Sequence, residues 1–134
     1  MKTELLKSQV GGQHYKELRY QPIEFIAKLH LSFSQGCIIK YISRYKYKNG
    51  LEDIKKAIHF CQLANGLHNN SMYIAFLMVI RPRFIQREIN KYIELNNIET
   101  HAGTCIKYVV RGDFKSAEIA LRILASTEYN CLEK

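Results

Sequence analysis

Apolar residues recur at helical spacing along most of the chain, and this pattern predicts an all-α protein. The segment "PIEFIAKLHL" begins with a proline suited to a first helical turn, and Ile23, Ile26, Ala27 and His30 fall on one face of the helix it predicts. Turn residues then divide the chain into further helices. These are predicted over about residues 34–46, 51–65, 72–80, 83–96, 99–110 and 113–126.

The second predicted helix begins with Ser34 as its N-cap and has two faces of different character. The face expected to lie in the core carries Ile38, Tyr41, Ile42 and Tyr45. The opposite face, expected to project away from the core, carries Lys40, Arg44 and Tyr47. Tyr45 or Tyr47 is also a candidate stacking surface for a ligand.

The apolar run "MYIAFLMVI", Met72 to Ile80, fits either a buried strand or a helix, and we interpret it as a helix. It is about half as long as a membrane-spanning helix must be. It also holds more apolar surface than one amphipathic helix buries in a domain of this size, which predicts a homo-oligomer. The alternative is a central helix between two halves of the chain.

A shift of 67 positions lays residues 24–44 over residues 91–111, with "IKYISR" matching "IKYVVR". After this match the first copy continues with "YKYKNGLE" and the second with only Gly112, before "DIKKA" and "DFKSA". The chain is therefore predicted to be one domain, residues 1–134, made of two degenerate copies of a helical hairpin related by a pseudo-twofold axis. The alternative is two unrelated helices of similar amphipathic pattern.

Composition narrows the function without deciding it. The net charge of +8 favours a partner that carries negative charge, or else serves solubility. The four cysteines, Cys37, Cys61, Cys105 and Cys131, lack the spacing of a metal site and suggest a reduced compartment. With no apolar leader at its start, the chain is expected to be cytoplasmic, without a membrane partner.

Basic residues crowd around the Asn49-Gly50 turn, between the second and third predicted helices. They are Lys40, Arg44, Lys46, Lys48, Lys55 and Lys56. Arginine binds phosphate through two parallel hydrogen bonds and lysine binds it as a point charge, and a helix N-terminus near Asp53 favours an anion. These residues predict a phosphate site, and the alternative is a solvated helical hairpin.

The motifs His14-Tyr15, "QPIEF" and "GCIIKYISRYKYKNGLEDIKKA" resemble a small phage and prophage family long described as a domain of unknown function. The resemblance covers about residues 13–64. One member of that family is a nucleoside-monophosphate kinase without a P-loop, and another is linked to abortive-infection sensitivity. Cys37 departs from the pattern, because a polar residue often follows the glycine in the family, and this leaves substrate choice open.

The resemblance implies roles for individual residues. Lys40, Arg44 and His14 would be catalytic. Tyr15, Lys40, Arg44, Lys48, Asp53 and Lys56 would bind the substrate, and the basic loop adds Lys46 and Tyr47 to this set. Pro22, Gly50 and Ala57 would be structural. No metal site is expected in the protein itself.

The resemblance implies the first of three possible functions, and the residues leave two others open. The first is a nucleoside-monophosphate or deoxynucleoside-monophosphate kinase, for which a nucleoside triphosphate would be the donor; Glu24 and Asp53 are the nearby acids for an accompanying Mg²⁺. The second is a protein that sequesters a nucleotide or cyclic nucleotide and so opposes host defence. The third is a nucleic-acid-binding protein. A Gly-rich P-loop sequence is absent from the chain.

Overall fold

The computed structural model describes residues 4–68 and 71–130, and this part of the chain is all helical. Its α-helices are Pro22–Leu29 (α1), Phe33–Arg44 (α2), Leu51–Leu67 (α3), Met72–Ile80 (α4), Pro82–Leu95 (α5), Thr100–Arg111 (α6) and Phe114–Tyr129 (α7). Short 3-10 turns cover Glu4–Lys7 and Tyr45–Tyr47. The predicted all-α class is confirmed, and so is the helix over residues 72–80.

Two helix pairs form the centre of the fold. Helix α2 packs against α3, α6 packs against α7, and α3 lies against α7, while α1 and α5 flank the pairs. The apolar core between them is closed to solvent. Its largest aliphatic members include Ile38, Ile39, Ile42, Ile54, Ile106, Leu121 and Leu124.

Helix α2 begins and ends earlier than predicted. Its N-cap is Ser32, whose Oγ accepts a hydrogen bond from the Gln35 backbone nitrogen at 3.2 Å, while Gln35 Oε1 accepts one from the Ser32 nitrogen at 2.8 Å. This reciprocal pair satisfies two backbone N–H groups at the start of the helix. Ser34 therefore lies inside the helix, where it is buried. The helix ends at Arg44, where the chain tightens into the 3-10 turn.

Helix α3 passes through the predicted Asn65-Gly66 stop and continues to Leu67. The residue that ends it is His68, which adopts the left-handed conformation at φ 51°. Gly50, at the other end, has φ 55°, and an added Cβ would lie 3.2 Å from the Tyr129 hydroxyl. The prediction that Gly50 makes a turn requiring free φ is confirmed.

Helix α1 turns its predicted face away from the core. The residues it buries are Pro22, Phe25 and Leu29, and Ile23 is 57% exposed. Of the predicted face, Ile26 does pack on α2, where an added Cβ at Gly36 would lie 3.3 Å from it. Ile26 is therefore half-buried at this contact, and Ile23 remains on the outer side of the helix.

Local geometry repeats at the predicted shift of 67. Helices α2 and α6 have corresponding first and last residues, and both follow corresponding N-caps. Gly36 meets Ile26 and Gly103 meets Ile93 at the same Cβ distance of 3.3 Å. These correspondences are what a duplication requires. The twofold relation between the copies, and the single domain over 1–134, stay predictions.

Helix α4 leaves much of its apolar surface exposed. Ile74 and Leu77 are buried, whereas Met72, Phe76 and Val79 are 87%, 59% and 80% exposed. The helix has no charged residue, so two copies of this face would meet without like-charge repulsion.

We expect this α4 face to mediate self-association. Phe76→Glu places a charge on the face and should convert an oligomer into a monomer, as measured by light scattering. Ile119→Glu, at a 60% exposed position on α7, is the matched control and should leave the oligomer intact. A monomeric wild-type protein would contradict the prediction.

Candidate functional site

A buried ion pair joins α2 to α3. The Arg44 guanidinium donates from Nε to Asp53 Oδ2 at 3.0 Å and from Nη2 to Asp53 Oδ1 at 3.1 Å. Asp53 is fully buried and Arg44 is 9% exposed. Burial alone lowers the pKa of Arg44, but its hydrogen bond to Asp53 and the neighbouring Tyr15 produce a net rise. The guanidinium fork that was expected to hold a phosphate is therefore occupied by a carboxylate of the protein itself.

The prediction that Arg44 projects away from the core is wrong. Helix α2 is covered on more than one side: Gln35 is fully buried and donates from Nε2 to the Val109 carbonyl of α6 at 2.9 Å. On another side the helix meets α3, which supplies Asp53. An amphipathic pattern with one inner face does not describe such a central helix.

The segment before α1 lies against this ion pair. Arg44 Nη1 donates to the Tyr15 hydroxyl at 3.2 Å, and the Tyr15 backbone nitrogen donates to Gln9 Oε1 at 2.8 Å. Gln9 also contacts the His14 ring at 3.2 Å, and the His14 and Tyr15 rings lie 4.3 Å apart. The structure thus brings His14 and Tyr15 to Arg44, as the predicted site requires.

His14 lies in a positive electrostatic environment. Burial lowers the pKa of His14, and the positive charges of Lys48 and Arg44 lower it further. Burial raises the pKa of the Tyr15 hydroxyl, while Arg44 opposes that rise. Near neutral pH His14 is therefore a neutral ring beside two cations, suited to accept a hydrogen bond or a proton.

Three cations surround the ring of Tyr41, and we call this group the Tyr41 cluster. The distances to the ring centroid are 4.5 Å from Lys40 Nζ, 4.9 Å from Arg44 Cζ and 5.7 Å from Lys56 Nζ. Arg44 is paired with Asp53, and Lys56 is paired with Glu52 at 3.1 Å. Tyr41 is half-buried, in partial agreement with its predicted place in the core. An aromatic ring at this place attracts the cations and fixes their positions.

An apolar cavity of about 430 Å³ lies beside the Tyr41 cluster. Lys40 and Tyr15 lie in its wall, and so does Cys37, where burial raises the pKa of the thiol. The remaining wall is largely apolar and comes from the segment before α1, from α1 and from the start of α2. It includes Leu5, Leu6, Ile23, Ile26, Leu31 and Phe33.

Lys46 and Tyr47 lie outside this arrangement. Lys46 Nζ is 3.8 Å from Glu128 of α7, and Tyr47 lies beside the connection between α5 and α6. The cause is the 3-10 turn after Arg44, which directs both residues away from the cavity. Tyr45 is buried and donates to Glu128 at 3.1 Å, so it offers no stacking surface. Tyr47 is 55% exposed, but it lies beside the α5–α6 connection and does not line the cavity.

Two predicted cations keep their charge available for a ligand. Among the described residues, neither Lys40 nor Lys48 forms an ion pair with a carboxylate. Lys40 is half-buried at the cavity wall, and Lys48 is exposed and lies within electrostatic range of His14. Lys40 is therefore the cation at the cavity wall, and Lys48 acts with Arg44 on His14.

The acids considered for Mg²⁺ are both engaged. Asp53 holds Arg44, and Glu24 Oε2 accepts a hydrogen bond from the Gln21 backbone nitrogen at 2.7 Å in the capping box of α1. Within residues 4–68 and 71–130, His, Cys, Asp and Glu side chains do not gather into a group of three that suits a metal ion. Cys37, Cys61 and Cys105 are buried free thiols, and Cys131 lies outside the described residues.

Sequence reasoning missed the cavity and the N-terminal residues that complete it. Gln9 is the clearest case, since its side chain holds both His14 and Tyr15. The sequence did predict that Ile23 and Ile26 share one face of α1, and both residues line the cavity. The closure by Leu5 and Leu6 depends on a tertiary contact, the hydrogen bond from Gln21 Nε2 to the Leu6 carbonyl.

The fold and site define a helical protein with a cationic cluster at the wall of an apolar cavity. Residues 10–62 match the model of a family described as a protein of unknown function (DUF3310), and this segment includes His14, the cavity wall from α1 and α2, and the Tyr41 cluster. No curated protein and no solved structure matches the chain. In the described part of the chain, the helices lack the length and apolarity needed to cross a bilayer.

We expect Arg44→Ala to destabilise the fold. Removing the guanidinium leaves Asp53 as a buried, unpaired charge, which costs about 3 to 5 kcal/mol. Arg111→Ala, at the exposed corresponding position on α6, should change the free energy of unfolding by less than about 0.5 kcal/mol. Urea unfolding of the two variants tests this, and equal stabilities would show that the ion pair is dispensable.

Proposed function

We propose that the protein binds a nucleotide, with the base in the apolar cavity and the phosphate at Lys40. The observation that carries the proposal is a largely apolar cavity of about 430 Å³ whose wall includes a lysine free of any carboxylate partner among the described residues. A cavity of this kind, with a few polar groups at fixed positions, is typical of small-molecule sites. A nucleotide has both the flat, weakly polar base and the negative charge that this combination favours.

The Tyr41 cluster supports the placement of the phosphate. Tyr41 holds the Lys40 ammonium 4.5 Å from its ring centroid, so the cation is positioned before a ligand arrives. Arg44, occupied by Asp53, acts as a positioning residue that keeps Tyr15 and Tyr41 in place. Arg44 was predicted to be catalytic, but here it acts only through its contacts with Tyr15 and Tyr41.

The resemblance to a family with a kinase member extends the proposal to phosphoryl transfer. In that reaction an oxygen of the bound monophosphate attacks the terminal phosphorus of a nucleoside triphosphate, and a nucleoside diphosphate leaves. Lys40 and Lys48 would neutralise charge on the phosphates, and His14 would accept a hydrogen bond or a proton. The required Mg²⁺ would arrive with the triphosphate, since Glu24 and Asp53 are engaged within the protein.

Capture without conversion is the second candidate function. The observation that favours it is the Arg44–Asp53 pair, which removes one cation and one acid from the groups available for chemistry. The remaining residues are sufficient to hold a nucleotide or cyclic nucleotide, because binding requires no in-line arrangement of two phosphates.

Incubation of the purified protein with mixed nucleotides, followed by separation of bound, unchanged and converted species, tests the proposal. A diphosphate formed from a monophosphate would establish the kinase, and intact retained nucleotide would establish capture. Retention of no nucleotide would overturn the proposed function.

We expect Lys40→Gln to weaken nucleotide binding by roughly 10- to 100-fold, the effect of losing a hydrogen bond to a charged group. Lys46→Gln is the matched control, because Lys46 pairs with Glu128 away from the cavity, and it should bind as the wild type does. Isothermal titration with a nucleoside monophosphate measures both. Equal loss in the two variants would show that binding depends on net charge alone.

Nucleotide binding should raise the pKa of His14. In the free protein the charges of Lys48 and Arg44 disfavour the protonated ring, and a bound phosphate offsets them. The His14 ring resonances, followed by NMR between pH 5 and 8, should therefore titrate at higher pH when nucleotide is present. His101, on α6 in the other half of the chain, is the internal control, and an unchanged His14 titration would place the phosphate elsewhere.

A further inference from the structure

Aromatic side chains form a row along α2 and α3, next to the nucleotide cavity. The Phe33 and Phe60 ring centroids are 6.1 Å apart, and those of Phe60 and Tyr41 are 5.9 Å apart. The Phe33 side chain is 76% exposed, and Phe60 and Tyr41 are half-buried. We call Phe33, Phe60 and Tyr41 the aromatic row.

Cations accompany the aromatic row at its Tyr41 end. Lys40 and Lys56 lie 4.5 Å and 5.7 Å from the Tyr41 ring centroid. Lys40 and Phe33 also belong to the cavity wall, whereas Phe60 and Lys56 do not. The row therefore starts at the cavity and extends beyond it.

Packing of the two helices does not by itself require these side chains. At the shift of 67, the position of Phe33 corresponds to Thr100 on α6. Aligning "DIKKA" with "DFKSA" places Ala120 and Ser116 of α7 at the positions of Phe60 and Lys56. Helices α6 and α7 nevertheless pack closely together. Phe33, Phe60 and Lys56 are thus a property of the first pair alone, whereas Tyr41 and Lys40 have counterparts in Tyr108 and Lys107.

We propose that the aromatic row binds single-stranded nucleic acid whose terminal nucleotide occupies the cavity. This inference rests on the proposed function and names its ligand as an oligonucleotide end. Exposed rings with cations beside them are the combination that holds single strands, because bases stack on the rings while lysines contact the phosphates. Lys40, which belongs to both surfaces, contacts the phosphate between the terminal nucleotide and the next one.

The charge of the surface favours this occupant over an apolar peptide or a second copy of the chain. Lys40 has no carboxylate partner among the described residues, and Lys56 is paired only with the exposed Glu52. A copy of this basic protein would bring like charges together, whereas a phosphodiester supplies the opposite charge. The exposed His59, 6.3 Å from the Phe60 ring centroid, adds a further donor beside the row.

The test measures how tightly the wild type and three variants bind a mononucleotide, a dinucleotide and a five-nucleotide single strand. In the wild type the dinucleotide should bind about 5- to 150-fold more tightly than the mononucleotide, the range expected when one base stacks on an aromatic ring. Phe60→Leu should remove this ratio and leave mononucleotide affinity unchanged, because Phe60 lies outside the cavity wall. Tyr73→Leu, at a 48% exposed aromatic on α4, is the control and should keep the ratio.

Salt dependence is the second readout. A plot of log affinity against log salt concentration has a negative slope. For the five-nucleotide strand, Lys56→Gln should reduce the magnitude of this slope by about 0.7, the share of one phosphate contact. This measurement uses a separate variant, so it remains informative if Phe60→Leu fails to fold. Lys56 is a half-buried surface side chain, and its replacement is expected to leave the fold intact.

The outcomes separate this inference from the proposed function. Equal affinity for mononucleotide and dinucleotide, or a ratio that survives both Phe60→Leu and Lys56→Gln, overturns the inference while nucleotide binding stands. If the five-nucleotide strand binds through Phe60 and the mononucleotide does not bind at all, binding at the aromatic row is supported and the proposed mononucleotide function is overturned.

Discussion

The ion pair between Arg44 and Asp53 is the interaction on which the candidate site depends. It joins α2 to α3, and through Arg44 Nη1 it also holds the Tyr15 hydroxyl of the segment before α1. A buried pair contributes little net stability, yet breaking it leaves an uncompensated charge, so its main effect is to fix one arrangement of three chain segments. That arrangement puts Lys40 at the cavity wall and His14 beside Lys48. The geometry at the cavity wall is thus set by Arg44 and Asp53, which do not themselves line the cavity.

The apolar periodicity of the sequence was sufficient to predict the helices, but it was not sufficient to place the charged side chains. The all-α class and the approximate extent of α3, α5, α6 and α7 follow from apolar spacing and turn residues. Arg44 was misplaced because a charged residue on a helix is expected to face water, and that expectation fails when a fully buried partner, here Asp53, comes from the next helix. Lys46 and Tyr47 lie away from the cavity because α2 ends in a 3-10 turn, which changes the direction of side chains by a different angle from that of a continued α-helix.

The cavity was beyond sequence reasoning for a different reason. Its walls come from segments that are each unremarkable alone: a short 3-10 turn, the outer face of α1 and the start of α2. What makes them a cavity is the close approach of α1 to α2 at Gly36 together with the hydrogen bond from Gln21 to Leu6. Sequence alone places Leu5 and Ile23 eighteen positions apart with no indication that they share a wall.

The second half of the chain shows how little separates a site from a plain helix pair. Lys107, Tyr108 and Arg111 repeat the residues of α2, but a much shorter connection leads from α6 into α7. Asp113 is therefore the N-cap of α7 and accepts a hydrogen bond from the Ser116 nitrogen at 3.1 Å, whereas Asp53 lies in the third position of α3 and reaches Arg44. With its acid used as a cap, Arg111 remains exposed. The length of the connection decides whether the aspartate caps the start of its helix or pairs with the arginine of the preceding helix, so matching side chains in the two halves do not make matching contacts.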